Sequence, residues 1–384
     1  MTKPKRSVQL ALAERVNHLD TEAWDALTVK AGVFMQRPFL TAIEAATPEN
    51  LSPRYALMYL DEAPIAALQL QLVRVEGRSA VAKKKGFSGM AQLLDERAWV
   101  LGNLAAWGET GLVIADGADR ALVWKEALAL IDRLRRFEKA EGSVNVSFVK
   151  DAATEDDDAA LRKQGYQRVP SGPDMLLTVD AGWRSLDGYL ACLASKRRRA
   201  VKKTSEAIAA AGYEVRPLTL EELEANHARV DALYGQVWAA ADVRPLRLSG
   251  RFFVELQRRL GADCVTTGIL RDGRLDGFGV CLRSGDACVG YYLGYDKSVD
   301  APLYLRLLTS IIEQGIAWGC ASISMGRTAE EPKTRLGATP GARGLWAKHR
   351  TPPLNWAVGA ILGTLPAHEV EAHQVFRQAE PRSS

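Results

Sequence analysis

The sequence predicts an α/β protein built from two copies of one mixed-sheet unit, one copy in each half. With 384 residues, of which 47% are hydrophobic, the chain is long enough for about two globular domains of ~100–200 residues each. Both halves show the same succession of two strands joined by a tight turn, a crossover helix and a further strand, which is typical of a repeated α/β unit. We place the boundary near Asp180, which gives domains 1–180 and 181–384.

In the first half, helical and strand-like segments alternate. Tight-turn residues separate the first two predicted strands, and the long helix that follows has an apolar side. The predicted elements are helices Thr21–Lys30 and Pro38–Ala46, strands Tyr55–Leu60 and Ile65–Val75, helix Arg120–Ala140, strand Val144–Val149 and a closing strand Met175–Val179.

The second half opens with a helical linker and then repeats the pattern. The dipeptide Asp272-Gly273 is a hairpin signal between two strand-like runs. The predicted elements are the linker Ser185–Ala211, strands Cys264–Leu270, Leu275–Leu282 and Ala287–Tyr295, helix Leu303–Trp318 and strand Ala321–Met325.

Composition narrows the class of protein. A net charge of +4 does not by itself indicate a nucleic-acid binder, and we expect no DNA partner. The five cysteines show no CxxC spacing and the five histidines are scattered, so we expect reduced thiols, a cytoplasmic location and no metal site. No apolar run approaches the ~20 residues of a membrane-spanning helix, so none is expected.

Four segments in order resemble FemAB-like and BioF2-like acetyltransferase domains of the GNAT superfamily. They are Trp183–Tyr189 with Leu193–Arg199, then Pro245–Phe253, Tyr291–Asp296, and Met325–Thr328 with Lys333–Ala338. The resemblance extends from about Phe34 to His349. It implies tandem GNAT-like domains that transfer an acyl or aminoacyl group to an amine, with acyl-CoA or aminoacyl-tRNA as donor and no permanently bound cofactor.

One departure from the GNAT pattern concerns the donor. Ordinary GNAT enzymes follow their fourth strand with a glycine-containing loop whose N–H groups hold the CoA pyrophosphate at a helix N-terminus. The corresponding stretch here, Lys297–Tyr304, has no glycine, and Trp107–Gly111 in the first half is only a weak substitute.

A basic cluster provides an alternative place for phosphates. Arg197, Arg198 and Arg199 belong to a run of six cations within about two helical turns, together with Lys196, Lys202 and Lys203. We predict that the three arginines bind the phosphates of the donor. The alternative is a solvated helix whose long side chains cover apolar surface.

Two tyrosines are candidate catalytic residues at the end of the predicted strand Ala287–Tyr295. Alternation would place Tyr291 and Tyr295 on one face of this strand and Tyr292 on the other. Because a GNAT-like site lies where the fourth and fifth strands separate, either Tyr291 or Tyr295 could donate a proton to the leaving group. The alternative is that they are core aromatics.

The loop after Met325 carries the remaining candidates. Lys333 and Glu330 are predicted to be catalytic, with Lys333 stabilising an oxyanion and Glu330, or its neighbour Glu331, accepting a proton from the amine. Arg327 and Arg335 are predicted to help bind the donor. A surface loop with compensating charges is the alternative.

We therefore expect an N-acyltransferase that uses acyl-CoA or a similar activated donor and an amine acceptor. Two other functions stay open. One is an aminoacyl-tRNA-dependent transferase of the Fem type, and the other is a non-catalytic GNAT-fold binding protein in envelope or polysaccharide biosynthesis.

Overall fold

The computed structural model describes residues 7–75, 96–108, 110–137, 143–152, 154–169, 171–241, 244–341, 344–356 and 375–376. The chain forms two compact units, one of residues 1–171, 241–252 and 343–367, the other of residues 172–240, 253–342 and 368–384. The first change of unit falls close to the predicted boundary near Asp180, and the chain then changes unit again at later points. A single cut between residues 180 and 181 stays a prediction.

The strands, in chain order, are β1 (Val8–Ala13), β2 (Leu51–Leu60), β3 (Ala63–Val75), β4 (Glu96–Leu101), β5 (Leu112–Ile114), β6 (Val144–Ala152), β7 (Gln167–Val169), β8 (Asp174–Thr178), β9 (Glu214–Pro217), β10 (Cys264–Arg271), β11 (Arg274–Ser284), β12 (Ala287–Tyr295), β13 (Ser322–Ser324), β14 (Thr339–Gly341) and β15 (Gly344–His349).

The α-helices are α1 (Thr21–Thr28), α2 (Arg37–Ala45), α3 (Arg120–Phe137), α4 (Glu155–Lys163), α5 (Leu186–Cys192), α6 (Ser195–Ala210), α7 (Leu220–Ala225), α8 (His227–Ala239), α9 (Gly250–Leu260), α10 (Leu303–Ala317) and α11 (Glu330–Thr334). Among the described residues, no helix combines the length and apolar character needed to cross a membrane.

The two sheets have the same strand order, which confirms the predicted repeat. The first sheet runs β1-β2-β3-β4-β6-β15-β7, with β5 also paired to β3, and the second runs β9-β10-β11-β12-β13-β8-β14. In both sheets the second, third and fourth strands are antiparallel, and the fourth pairs in parallel with the fifth. This is a mixed α/β architecture repeated twice.

Each sheet takes its sixth strand from the other half of the sequence. Strand β15 lies between β6 and β7, while β8 lies between β13 and β14. The prediction that Met175–Val179 closes the first sheet is therefore wrong, because β8 pairs with Ser322–Ser324 of the second sheet. An apolar strand pattern shows that a segment is buried, but it does not specify which distant strand it pairs with.

Each unit has its own core. In the first unit, Leu68 and Leu70 of β3 and Trp99 of β4 pack against Leu128 and Ile131 of α3. In the second unit, Cys288 and Ile323 on neighbouring strands pack against the α10 residues Leu308, Ile311 and Ile312. These helices cover one face of each sheet, as the predicted apolar side of the first crossover helix requires.

The predicted helices and hairpin strands occur within a few residues of their expected bounds. Sequence reasoning missed the strands β1, β4, β5, β7, β9 and β14 and the helix α9. It also predicted one helical linker over Ser185–Ala211, where the chain forms α5 and α6 with a break at Leu193 and Ala194.

Candidate active site

In the second unit, the fourth and fifth strands separate before the fourth one ends. Strands β12 and β13 pair in parallel only from Ala287 with Ser322 to Val289 with Ser324. Beyond this point β12 continues to Tyr295, whereas the chain after Ser324 keeps its bonds to β8, with Met325 N donating to Met175 O at 2.8 Å. Parallel strands that separate in this way form a wedge at their carboxyl ends. We call the wedge between residues 290–295 and 325–327 the second-unit cleft.

A β-bulge lies in the part of β12 that borders this cleft. The register passes from Gly279 opposite Leu293 to Cys281 opposite Gly290, so Tyr291 and Tyr292 together oppose one residue of β11. A bulge of this kind interrupts alternation and turns two consecutive side chains to the same side.

The aromatic contacts show the result of the bulge. The Tyr291 and Tyr292 rings have centroids 4.6 Å apart, and the Tyr292 ring lies 5.6 Å from the ring of Tyr234 on α8. Tyr295 instead lies against Tyr304 of α10, with ring centroids 5.8 Å apart. The prediction that Tyr291 and Tyr295 share a face is therefore wrong.

Tyr291 is an O–H donor at neutral pH. Burial raises the pKa of its hydroxyl well above the usual 10, and the neighbouring Tyr292 and Tyr234 add to the shift. The side chain is 4% exposed. Tyr295 is half-buried, and it is the more accessible of the two predicted catalytic tyrosines.

Lys333 is buried at the carboxyl end of β13. Its side chain is 4% exposed and its Nζ donates a hydrogen bond to the Gly326 carbonyl oxygen at 2.9 Å. Desolvation lowers the pKa of Lys333 from 10.5 to about 8, and the negative charges of Asp174 and Glu330 oppose this shift. The ammonium therefore stays charged at neutral pH and releases its proton more easily than an exposed lysine.

Asp174 is a site residue that sequence reasoning missed. It is 3% exposed, and its Oδ1 accepts a hydrogen bond of 2.7 Å from Ser324 Oγ across the β8–β13 pair. Because Asp174 and Ser324 are 150 positions apart, no local sequence signal connects them. The carboxylate supplies negative charge that acts on Lys333.

The other predicted residues of this loop have different surroundings. Glu330 is half-buried and close enough for its charge to act on Lys333. Arg335 is exposed and forms an ion pair with Glu331 one helical turn away, while Arg327 is half-buried directly after β13. The structure thus brings Lys333 and Glu330 together and leaves Arg335 at the surface.

Two of the resembling motifs are explained by packing. A Cβ at Gly294 would lie 2.5 Å from the Tyr234 backbone nitrogen, so this glycine lets α8 approach β12 closely. Gly337 has φ +94°, and a Cβ there would lie 2.5 Å from the Phe376 ring. Both positions require glycine for the fold, whatever the chemistry of the cleft.

The loop that replaces the glycine-containing phosphate loop is occupied by ion pairs. Asp296, which follows β12, accepts hydrogen bonds from Arg229 at 2.8 Å, from Arg274 at 2.9 Å and from Ser298 Oγ at 2.6 Å. The hydrogen bonds from Ser298 and Arg229 lower the pKa of Asp296. Helix α10 then begins after Pro302, which has no N–H to offer an anion.

The predicted phosphate-binding arginines lie in the first two turns of α6. Arg197 and Arg198 are half-buried and Arg199 is exposed, while Val201 and Ile208 bury the other side of the helix. Within the described part of the chain, none of the three arginines forms an ion pair with a carboxylate. Ala194, the N-cap residue, makes no side-chain hydrogen bond to the first turn, so positive backbone and side-chain groups coincide there.

The chain belongs to the FemAB-like family, described as peptidoglycan biosynthesis/recognition, whose model matches residues 108–380. No curated protein sequence matches the chain. Family membership and the tandem GNAT fold together support an acyltransferase.

Solved structures show the same fold at low identity. FemX aligns with a TM-score of 0.55 and 12% identity, covering 89% of this chain and 99% of its own. A tandem GNAT protein from the clavulanic acid biosynthesis pathway aligns with a TM-score of 0.54 and 12% identity, covering 90% and 99%. The C-terminal domain of a putative lysylphosphatidylglycerol synthetase from Agrobacterium fabrum gives 0.53 and 11%, covering 89% and 95%.

Proposed function

We propose that this protein is an N-acyltransferase whose second-unit cleft transfers an acyl or aminoacyl group from an activated donor to an amine. The observation that carries the proposal is the separation of β12 from β13 with buried Lys333 at its end. A buried ammonium beside an opening between strands is costly for stability, and such groups cluster at functional sites.

The proposed chemistry needs an oriented amine, a proton acceptor and donors for the tetrahedral oxyanion. Lys333, charged below pH 8, supplies the cation for the oxyanion. Glu330 accepts the proton of the attacking amine, and Tyr291 or Tyr295 gives a proton to the leaving group. Tyrosine hydroxyls keep their proton at neutral pH, and burial raises the pKa of Tyr291 further.

The donor is proposed to be held by its phosphates on α6 through Arg197, Arg198 and Arg199, with Arg327 and Arg335 as further contacts. Two features after β12 count against the usual CoA pyrophosphate cradle. The stretch Lys297–Tyr304 has no glycine, and Asp296 forms ion pairs with Arg229 and Arg274. An aminoacyl-tRNA donor fits this cationic helix as well as acyl-CoA does. Both donors are cytoplasmic, which is where we expect the protein to act.

The second candidate function is a non-catalytic binding protein with the same fold. The specific observation in its favour is the loop after β12, whose acidic residue is fully engaged with Arg229, Arg274 and Ser298. In this case the second-unit cleft would recognise a ligand without transferring a group.

A donor-turnover experiment separates these candidates. The full chain is incubated with acetyl-CoA or with aminoacyl-tRNA and a mixture of primary amines, and donor consumption and new amides are followed by mass spectrometry. If the protein is an acyltransferase, one of the two donors is consumed at a rate proportional to enzyme concentration and an amide forms. The Lys333→Met variant should show neither. If a donor stabilises the protein against unfolding but is not turned over, the binding protein is favoured. A ligand at 100 times its Kd raises the free energy of unfolding by about 2.7 kcal/mol.

A further inference from the structure

The first unit contains a cluster of completely buried polar side chains on the face of β3 that does not pack against α3. Gln69 and Gln71 alternate with the core residues Leu68 and Leu70, so both amides project to the opposite face. Gln69, Gln71 and Asn103 each have 0% of their surface exposed.

This cluster lies beside the segment 102–111 that connects β4 to β5, both of which pair with β3. Gly102 N donates to the Gln69 carbonyl at 2.9 Å, and Gln69 N donates to the Gly111 carbonyl at 2.9 Å. Leu104 N donates to Gln71 Oε1 at 2.8 Å. The segment 102–111 thus leaves the sheet beside Gln69, passes the Gln71 side chain and rejoins the sheet beside Gln69.

Four amide atoms of the cluster make no hydrogen bond to any residue that the structure describes. They are the Gln69 Nε2 and Oε1 atoms, Gln71 Nε2 and Asn103 Nδ2. Proteins leave few buried polar groups unpaired, because each one forfeits its bonds to water without replacing them. Several such groups in one place indicate hydrogen bonds that another molecule completes.

The charges around the cluster show which kind of molecule would fit. Lys150 and Asp151, at the end of β6, form an ion pair of 2.8 Å with side chains that are 10% and 0% exposed. Since these opposite charges neutralise each other, the described residues around the cluster provide no net charge to compensate a buried ion. The unpaired groups comprise three NH₂ donors and one carbonyl acceptor, which matches an uncharged group that accepts more hydrogen bonds than it donates.

We propose that Gln69, Gln71 and Asn103 form a binding site for the uncharged amide group of a ligand. The ligand carbonyl accepts from the Gln71 and Asn103 amides, and its N–H donates to Gln69 Oε1. The first unit is then a recognition module for an amide-containing molecule. This inference does not depend on the transfer reaction proposed for the second unit.

The test uses N-methylacetamide as probe and sodium acetate as its charged counterpart at the same concentration. The full chain is labelled with ¹⁵N on its glutamine side chains, and the Gln69 and Gln71 resonances are identified by their loss in Gln69→Leu and Gln71→Met. We expect N-methylacetamide to shift both resonances saturably and acetate to leave them in place. In Gln69→Leu, the remaining Gln71 response should be weaker by about tenfold in Kd or more.

Two further variants keep the test decisive. Gln69→Met replaces Gln69→Leu if the branched side chain prevents folding. Gln257→Leu, in the second unit, removes a glutamine whose Nε2 donates to the Leu218 carbonyl at 3.0 Å, and it should leave the Gln69 response unchanged. Absence of a saturable shift, an equal shift with acetate, or a full Gln71 response in Gln69→Leu would each overturn the proposal and leave the cluster as a site for buried water.

Discussion

The two sheets follow the same strand order, yet they differ where the fourth strand meets the fifth. In the first unit, β4 pairs with β6 up to its last residue, Leu101 opposite Val149. The chain then makes the excursion 102–111, which is tied to the end of β6 because Lys150 Nζ donates to the Ala106 carbonyl and Gly108 N donates to Asp151 at 3.0 Å. In the second unit, pairing ends at Val289 opposite Ser324, and only a bulge interrupts β12.

This difference shows how one topology produces two kinds of strand end. In the first unit, Lys150 at the end of β6 donates to the Ala106 carbonyl and pairs with the Asp151 carboxylate. Gly111 serves the same closure, since a Cβ there would lie 2.9 Å from the Gly102 nitrogen. In the second unit, Lys333 of α11 donates to the Gly326 carbonyl just after β13. We therefore expect transfer chemistry in the second unit alone.

The largest effect should come from Lys150→Met, and it should be on stability. The substitution leaves the Asp151 carboxylate buried without its cation, and breaking a buried pair in this way costs about 3–5 kcal/mol. Chemical denaturation of the full chain measures the loss. Donor turnover per folded molecule, assayed well below the transition, should stay near wild type. A turnover defect as large as that of a second-unit variant would mean that the first unit takes part in the chemistry.

Lys333→Met should have the opposite signature, with a large effect on rate and no loss of stability at neutral pH. Removing one donor to a developing oxyanion typically lowers the rate by about 10²–10³. The folded-state pKa of about 8 lies below the usual 10.5, so the unfolded chain binds more protons between these pH values. The contribution of Lys333 to stability is therefore unfavourable below pH 8 and improves as pH rises toward 10.5.

Melting curves at pH 7 and pH 10 check this sign. Lys333→Met should melt at or above the wild-type temperature at pH 7, and the difference should shrink or reverse by pH 10. The matched control is Lys163→Met, which replaces an exposed lysine of α4. It should change neither the turnover rate nor the pH dependence of the melting temperature. Near wild-type turnover in Lys333→Met would remove this lysine from the proposed mechanism.

The sequence predicted those features that depend on local pattern. Turn signals such as Asp272-Gly273 and the apolar side of α3 placed the hairpins and the crossover helix within a few residues. The exchange of β8 and β15 was missed because strand pairing is a long-range property. The bulge at Tyr291 was missed because a strand sequence does not show where one residue is left over, and this error reversed the face of one predicted catalytic tyrosine.

Within the candidate site, resemblance to known domains located Lys333, whereas its burial and its lowered pKa came only from the structure. Asp174 could not be connected to this loop, since it belongs to a strand that the sequence assigned to the other sheet. The proximity of Tyr291 and Tyr295 to Lys333 stays a prediction, to be judged by the effects of Tyr291→Phe and Tyr295→Phe on turnover.

The smallest effect on the fold, and the sharpest test of the donor, concerns the three arginines of α6. Cations in the first turn of a helix oppose its dipole, each by about 0.3–1 kcal/mol, so Arg197→Ala, Arg198→Ala and Arg199→Ala combined should not lower the melting temperature. Affinity for tRNA or CoA should fall, and the slope of log affinity against log salt for tRNA should decrease by about 0.7–0.9 for each phosphate that the variant no longer neutralises. Fluorescence anisotropy across a salt titration measures both the affinity and the slope.

The control is the double variant Arg258→Ala and Arg259→Ala on α9. The guanidinium groups of these arginines already pair with glutamates, so the control should leave the slope unchanged. Parallel salt dependences in the triple variant and wild type would mean that these cations are a solvated surface and that the donor phosphates bind elsewhere.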